Sequence, residues 1–343
     1  MKTKFYFLPI LLLGGLSLFT ACSDDDDENG GGQPSAPVIG PGDTNSGARL
    51  TNISNDWGHG YYFQYNEDGT VQHISERYDM GVVDEISMTY NPFRMETFIL
   101  GKLKNTSFNK NGYLTHFNAE RTFIDEEYDS WEKWKDDWRF SYNGNGNITK
   151  LVVSQSYNGV KDGENYSGHE TYTATYTWSE GNLTRIEVVD KVVKDENTWM
   201  SNGTYDFEYN DEINKYKQHV IGLSPIEDLA CDCWDEMLAS IGWIGKWTKN
   251  YPVSYVYKSI EEGYGGIYEK TRTGTWSNFS TTNDGLLSGF NCNGTRYTYT
   301  YDNTAPTTKK AAAKQMLDNN APSPRTKKMS RRHLHHARML NRM

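Results

Sequence analysis

Thr171-Tyr172-Thr173-Ala174-Thr175-Tyr176-Thr177-Trp178-Ser179-Glu180-Gly181-Asn182-Leu183-Thr184-Arg185-Ile186-Glu187-Val188 reads as two β-strands joined by a tight turn. In the first half Tyr172, Ala174, Tyr176 and Trp178 alternate with four threonines. A period of two places the rings on one face and the hydroxyls on the other. Gly181 supplies the positive φ that a short turn requires. On the return, Leu183 to Ile186 is a step of three and Ile186 to Val188 a step of two. The slip predicts a β-bulge just past the turn.

The same unit recurs along the chain, an aromatic strand running into Asn and Gly and then into an aliphatic strand. It is legible at Tyr61–Val71, Phe108–Leu114 and Phe140–Ile148 as well, with turn glycines at Gly69, Gly112, Gly146 and Gly181. Further alternating strands pass through Ile86, Met88 and Tyr90, through Tyr205, Phe207 and Tyr209, through Val253, Tyr255 and Tyr257, and through Tyr297, Tyr299 and Tyr301. One segment breaks the pattern. Ser224-Pro225-Ile226-Glu227 is a capping box with Pro at the first helical position, and Ile226, Leu229, Ala230, Cys233, Met237, Ile241 and Ile244 follow at helical spacing. An inserted amphipathic helix is therefore expected over about 225–244.

Composition agrees with an aromatic β protein. Of 343 residues, 14% are Phe, Trp or Tyr, including 24 Tyr, and 31 are Gly. That mix disfavours helix bundles and coiled coils. The net charge of −10 is unevenly spread: residues 305–343 hold ten Lys or Arg against the single Asp318, a charge of +9 that leaves the remainder at −19. So acidic a body lacks the basic patches that nucleic acid requires, and a detached basic run reads as a solvated tail.

At the other end, Lys2 and Lys4 precede an apolar run from Phe5 to Phe19, too short to span a membrane as a helix. It closes in Leu18-Phe19-Thr20-Ala21-Cys22, which resembles the lipobox of bacterial lipoproteins. The resemblance implies a signal peptide over 1–21 and a lipidated Cys22, because the thiolate accepts the diacylglyceryl group before cleavage. Ser23, Asp24, Asp25, Asp26 and Asp27 follow at once. Calcium loops space their acids and bend at a Gly, so a contiguous run is a poor metal site. It resembles instead the acidic export signal of Bacteroidetes surface lipoproteins. The organisation expected is a signal peptide (1–21), a lipid anchor with acidic and Gly-rich tether (22–50), a hairpin-repeat domain (51–304) and a basic tail (305–343).

Candidate sites are few. Trp134, Trp138, Phe140 and Tyr142 share one parity and line one face of a strand. Such a row serves either as a sugar-binding platform or as the packed face of the sheet. Glu126, Glu127, Asp129, Asp136 and Asp137 lie nearby and contain the two carboxylates that a glycosidase needs, although an acidic chain supplies such pairs by chance. Cys231 and Cys233 would project about 200° apart on a helix and cannot easily share a bond or a metal. A disulfide of either with Cys292 stays open, as does none at all. No cofactor fingerprint, metal motif or catalytic signature occurs in the body.

With lipobox, acidic spacer, repeated Tyr-Asn-x-x-Gly-x-Leu hairpins and the segment Ser240-Ile241-Gly242-Trp243-Ile244-Gly245-Lys246 in view, the chain resembles a Bacteroidetes surface-lipoprotein family of uncharacterised function with a porin-like β fold. Hairpins such as Gly181–Ile186 are also similar to the YD repeats of Rhs-type shell proteins. The resemblance implies no catalytic residues and no cofactor. The fold expected is all-β, an antiparallel meander of about twelve to fourteen strands, strongly curved or closed into a porin-like barrel, since closure removes exposed strand edges. The function expected is non-enzymatic: a lipid-anchored, surface-exposed protein of the outer membrane that binds or scaffolds an extracellular glycan or protein. The alternatives are an outer-membrane channel and a glycan-active hydrolase.

Overall fold

The structure, a computed structural model, describes residues 48–302 apart from 68, 79–80, 91–92, 98–100, 126–129, 162, 195–196, 221–233 and 264–265. Sixteen antiparallel strands follow one another in chain order: β1 (Arg49–Asn55), β2 (Gly60–Tyr65), β3 (Val71–Tyr78), β4 (Gly81–Thr89), β5 (Arg94–Thr97), β6 (Gly101–Phe108), β7 (Leu114–Asp125), β8 (Ser130–Tyr142), β9 (Ile148–Lys161), β10 (Glu164–Ser179), β11 (Asn182–Lys194), β12 (Asn197–Ile213), β13 (Asn250–Gly263), β14 (Gly266–Thr281), β15 (Leu287–Cys292) and β16 (Thr295–Asp302). Each pairs with its neighbours in sequence and β16 returns to β1, so the meander closes into a barrel. The count exceeds the expected twelve to fourteen. β5 has only four residues, and β6 carries just Leu103 and Phe108 as apolar markers, so neither shows a readable alternation.

The turn chemistry explains the sequence repeat. Asn109 Oδ1 accepts the amides of Asn111 and Tyr113, and Asn143 Oδ1 those of Asn145 and Asn147. Gly112 and Gly146 then donate back to the Asn carbonyls at positive φ. The expected bulge is present: Trp178 pairs with Leu183 but Thr177 with Arg185, leaving Thr184 extra. Thr115 and Thr149 are extra in the corresponding places of β7 and β9.

A second repeated feature ties the base of six of the eight hairpins. Where an even strand ends, its ring donates to a carbonyl where the preceding odd strand begins: Tyr65 to Leu50 (2.7 Å), Tyr90 to Val71 (2.8 Å), Tyr142 to Leu114, Trp178 to Ile148, Tyr209 to Leu183 and Tyr301 to Leu287 (2.6 Å each). Two hairpins end in Phe108 and Phe279, which have no hydroxyl to give.

All sixteen strands contribute to a single core cluster, so the lumen is filled rather than open. Tyr172, Ala174 and Tyr176 point inward and are buried, while the intervening threonines face out. Residues 214–220 and 234–249 close the end where these hairpin bases meet. The helix α1 (Trp234–Ser240) buries Met237 and Leu238 in the core. It stops short of the expected 244. Gly242, at φ 78°, donates to Ala239 and Trp243 donates to Leu238, a Schellman closure. Backbone bonds from Leu114 to Trp243, Lys246 to Gly146 and Lys249 to Gly181 fasten this plug to the barrel turns. The start of the expected helix, with Cys231 and Cys233, lies outside the described residues.

The far end differs. β7 to β14 are 12 to 17 residues long, while the other strands have four to nine. β14 pairs with β13 over Gly266–Thr275 and with β15 only from Trp276 onward. Likewise β6 pairs with β5 at 101–102 and with β7 at 103–108. These two strands are corners, each with a left-handed Asn, Asn105 and Asn278. Beyond them the long strands continue as an open sheet.

A Tyr142→Phe substitution keeps the ring on Tyr113 but leaves the Leu114 carbonyl without its donor. We expect a loss of about 1 kcal/mol in urea unfolding, with the m-value unchanged.

Candidate binding face

Strand register arranges the inner face of the long sheet in layers. Counting outward from the plug, Phe140, Leu151, Ala174 and Val188 face one another across β8 to β11. Phe117, Trp138, Val153 and Tyr172 form the next layer. The third turns polar, with Asp136, Gln155 and Glu170, each 3% exposed. Arg121, Trp134, Tyr157 and Gly168 make the fourth, and Phe123, Glu132, Gly159 and Tyr166 the fifth, at the open end.

The outer layers combine flat rings with charge. Trp134 and Tyr157 lie 4.5 Å apart between centroids, and Tyr157 and Tyr166 lie 6.3 Å apart. Gly168 is required under Tyr157, since any Cβ there would collide with the ring. Arg121 sits over Trp134 at 5.0 Å and Phe123 at 5.7 Å, and its Nε is 3.8 Å from Asp136 Oδ2. Gln155 donates to Asp136 Oδ1 at 3.0 Å. Burial, reinforced by the Glu132 carboxylate that Tyr166 bonds, pushes the Tyr166 phenol well above its usual range.

The four rings expected on one face do share it, yet their surroundings differ. Trp138 and Phe140 are 1% and 5% exposed, with Trp138 stacked on Phe117. Tyr142 is the hairpin clamp at the plug end. Only Trp134 of the four reaches the open end. Sequence reasoning missed Arg121, Phe123, Glu132, Tyr157 and Tyr166. One signal was available, because Arg121 has the parity of Phe117, Ala119 and Phe123 and so had to face inward.

Of the nearby acids, Asp136 faces in and Asp137 faces out, while Glu126, Glu127 and Asp129 lie outside the described residues. Asp137 borders a shallow outer cleft of about 430 Å³ lined also by Lys104, Glu120, Lys135 and His169. Its charges are largely matched, Lys104 to Glu120 and Arg139 to Asp137, each at 2.8 Å. The Arg139 hydrogen bond, partly offset by desolvation, holds Asp137 below the usual carboxylate range. Among the described residues no group of three or more His, Cys, Asp or Glu could hold a metal ion. Cys22, Ser23 and Asp24 to Asp27 lie outside the described residues.

No family model and no curated protein matches the chain. Among solved structures it is similar to a porin-like protein from Bacteroides uniformis, at TM-score 0.45 and 14% identity, covering 78% of this chain and all of that one. A porin-like protein from Bacteroides vulgatus is similar at TM-score 0.42 and 12% identity, covering 74% of this chain and 98% of that one.

The Tyr166 phenol holds its proton more tightly in the folded chain than in the unfolded one. An unfolded phenol ionises near 10, whereas the folded one keeps its proton, so its contribution is complete below pH about 10 and fades as pH rises further. Tyr166→Phe should therefore lessen the fall in stability between pH 10 and about 12, followed by urea melts. An unchanged fall would mean that Tyr166 is freely solvated.

Proposed function

We propose that this chain is a non-enzymatic lipoprotein of the outer cell surface, tethered through Cys22, that binds an extracellular glycan or protein on the open-end face built around Trp134. The observation that carries this reading is the direction of the strands. A barrel that spans a bilayer turns an apolar band outward and polar residues inward. Here Tyr172, Ala174 and Tyr176 fill the lumen and Thr171, Thr173, Thr175 and Thr177 meet the surroundings. That orientation suits a water-exposed body that needs a separate anchor, and a filled lumen does not suit a channel.

Binding is favoured over hydrolysis by the burial of the acids. Asp136 and Glu170 lie beneath the rings at 3% exposure, and Asp136 is engaged by Gln155. A glycosidase needs both carboxylates at the reacting bond with room for sugar and water.

The acyl chains of a lipidated Cys22 would anchor the protein stably, and the acidic start of the tether would be repelled by an anionic surface. Replacing Cys22 by Ser should abolish lipid labelling and release a folded monomer that stays in solution without detergent. Replacing Asp24 to Asp27 by Ala should keep the lipid but protect the protein from protease added to intact cells. A Ser variant that remains with membranes, or that needs detergent to stay dispersed, would support the channel instead.

A further inference from the structure

Arg121 is 7% exposed, and neither its Nε nor its Nη1 has a hydrogen-bond acceptor among the described residues. Asp136 neutralises its charge from 3.8 Å, beyond hydrogen-bonding distance. Trp134, whose ring lies against the guanidinium, has a buried Nε1 that likewise lacks an acceptor. Buried donors left without acceptors are costly, and native proteins satisfy nearly all of them. Three such donor nitrogens on two touching side chains call for acceptor oxygens from outside the chain.

We infer that the ligand of this face is a neutral carbohydrate. The inference rests on the reading of the face as the binding surface and names what it binds. The charge layout selects against ions. Glu132 and Asp136 lie two positions to either side of Trp134 on the inner face of β8, with Arg121 paired opposite Trp134. A carboxylate or sulfate meets two acids for one cation, and a cationic ligand meets the guanidinium. A neutral sugar avoids both conflicts. Its oxygens accept from Arg121 and Trp134, its hydroxyls donate to Glu132, and its C–H face packs on the half-exposed rings of Trp134 and Tyr166.

The test is calorimetric titration of the lipidated full-length protein in mild detergent. Its probes are neutral gluco-, manno- and xylo-oligosaccharides, with oligogalacturonate as the anionic probe, chitosan oligomers as the cationic probe, and unstructured peptides as the protein-like probe. At least one neutral oligosaccharide should bind. Its affinity should fall about tenfold in Arg121→Met and in Trp134→Phe, which removes the N–H but keeps a ring, and stay unchanged in Thr173→Ala on the outer wall. Should Arg121→Met fail to reproduce the parent's circular dichroism, Trp134→Phe alone decides. Binding only of the charged oligomers or of peptides, lost in the same variants, would overturn the sugar assignment while leaving the face as the binding surface. Neutral-sugar binding that survives both variants would overturn the placement, and no neutral-sugar binding at all would overturn the inference.

Discussion

The hydrogen bond from a terminal ring of an even strand to the first carbonyls of the odd strand before it, made in six of the eight hairpins, sets the geometry of the closed end. Hairpins joined in a meander have nothing local to hold their bases together, because the turn lies at the opposite end. A half-buried ring, a phenol in five hairpins and the Trp178 indole in the sixth, supplies that tie. It packs against the core, and its hydroxyl or indole N–H reaches a carbonyl next to the bulge, where the ladder is interrupted. Burial keeps Tyr65, Tyr142, Tyr209 and Tyr301 protonated far into the alkaline range, so they remain donors. Each tie is worth about 1 kcal/mol net, and their repetition fixes the register in which the plug is received. The two hairpins without a tie end in the corner strands β6 and β14, where Phe108 packs on Trp243 and Phe279 on Tyr251 instead.

From that closed end the inner face changes character with distance. Near the plug it is aliphatic and aromatic, and the lumen is full. Farther out come Asp136, Gln155 and Glu170, then Arg121 among rings, and finally the half-exposed Trp134 and Tyr166 where the sheet has outrun its partner strands. A binding surface needs a rigid support and an accessible rim. The packed layers supply the support, and the difference in length between the long and short strands exposes the rim.

Much of this architecture could be read from the chain. Alternation fixed the faces of β8, β10 and β12, the Asn and Gly spacing fixed the turns, and the step from Leu183 to Ile186 located the bulge. β5 escaped because a strand of four residues carries no period, and β6 was legible only at its end, Phe108, because its two apolar residues set no alternation. The helix was expected to run to 244 because Ile241 and Ile244 extend its apolar spacing, but Gly242 ends it and those residues are buried in the turn instead. The binding face was harder to see. Trp134 and Trp138 look alike in sequence, and only cross-strand register sets Trp134 beside Arg121 and Trp138 beside Phe117. Which ring is rim and which is core depends on where neighbouring strands stop, and local sequence does not encode that.

The central claim is that the barrel wall is polar outside and apolar inside. Single cysteines placed along β10, in a background with the native cysteines replaced by serine, test it most directly. In detergent-free buffer, Cys at Thr173 and Thr175 should react quickly with a water-soluble maleimide, while Cys at Ala174 should react only after denaturation. Rapid labelling at Ala174 with protection at Thr173 and Thr175, relieved by detergent, would show that the apolar face is not packed inside and would contradict the account.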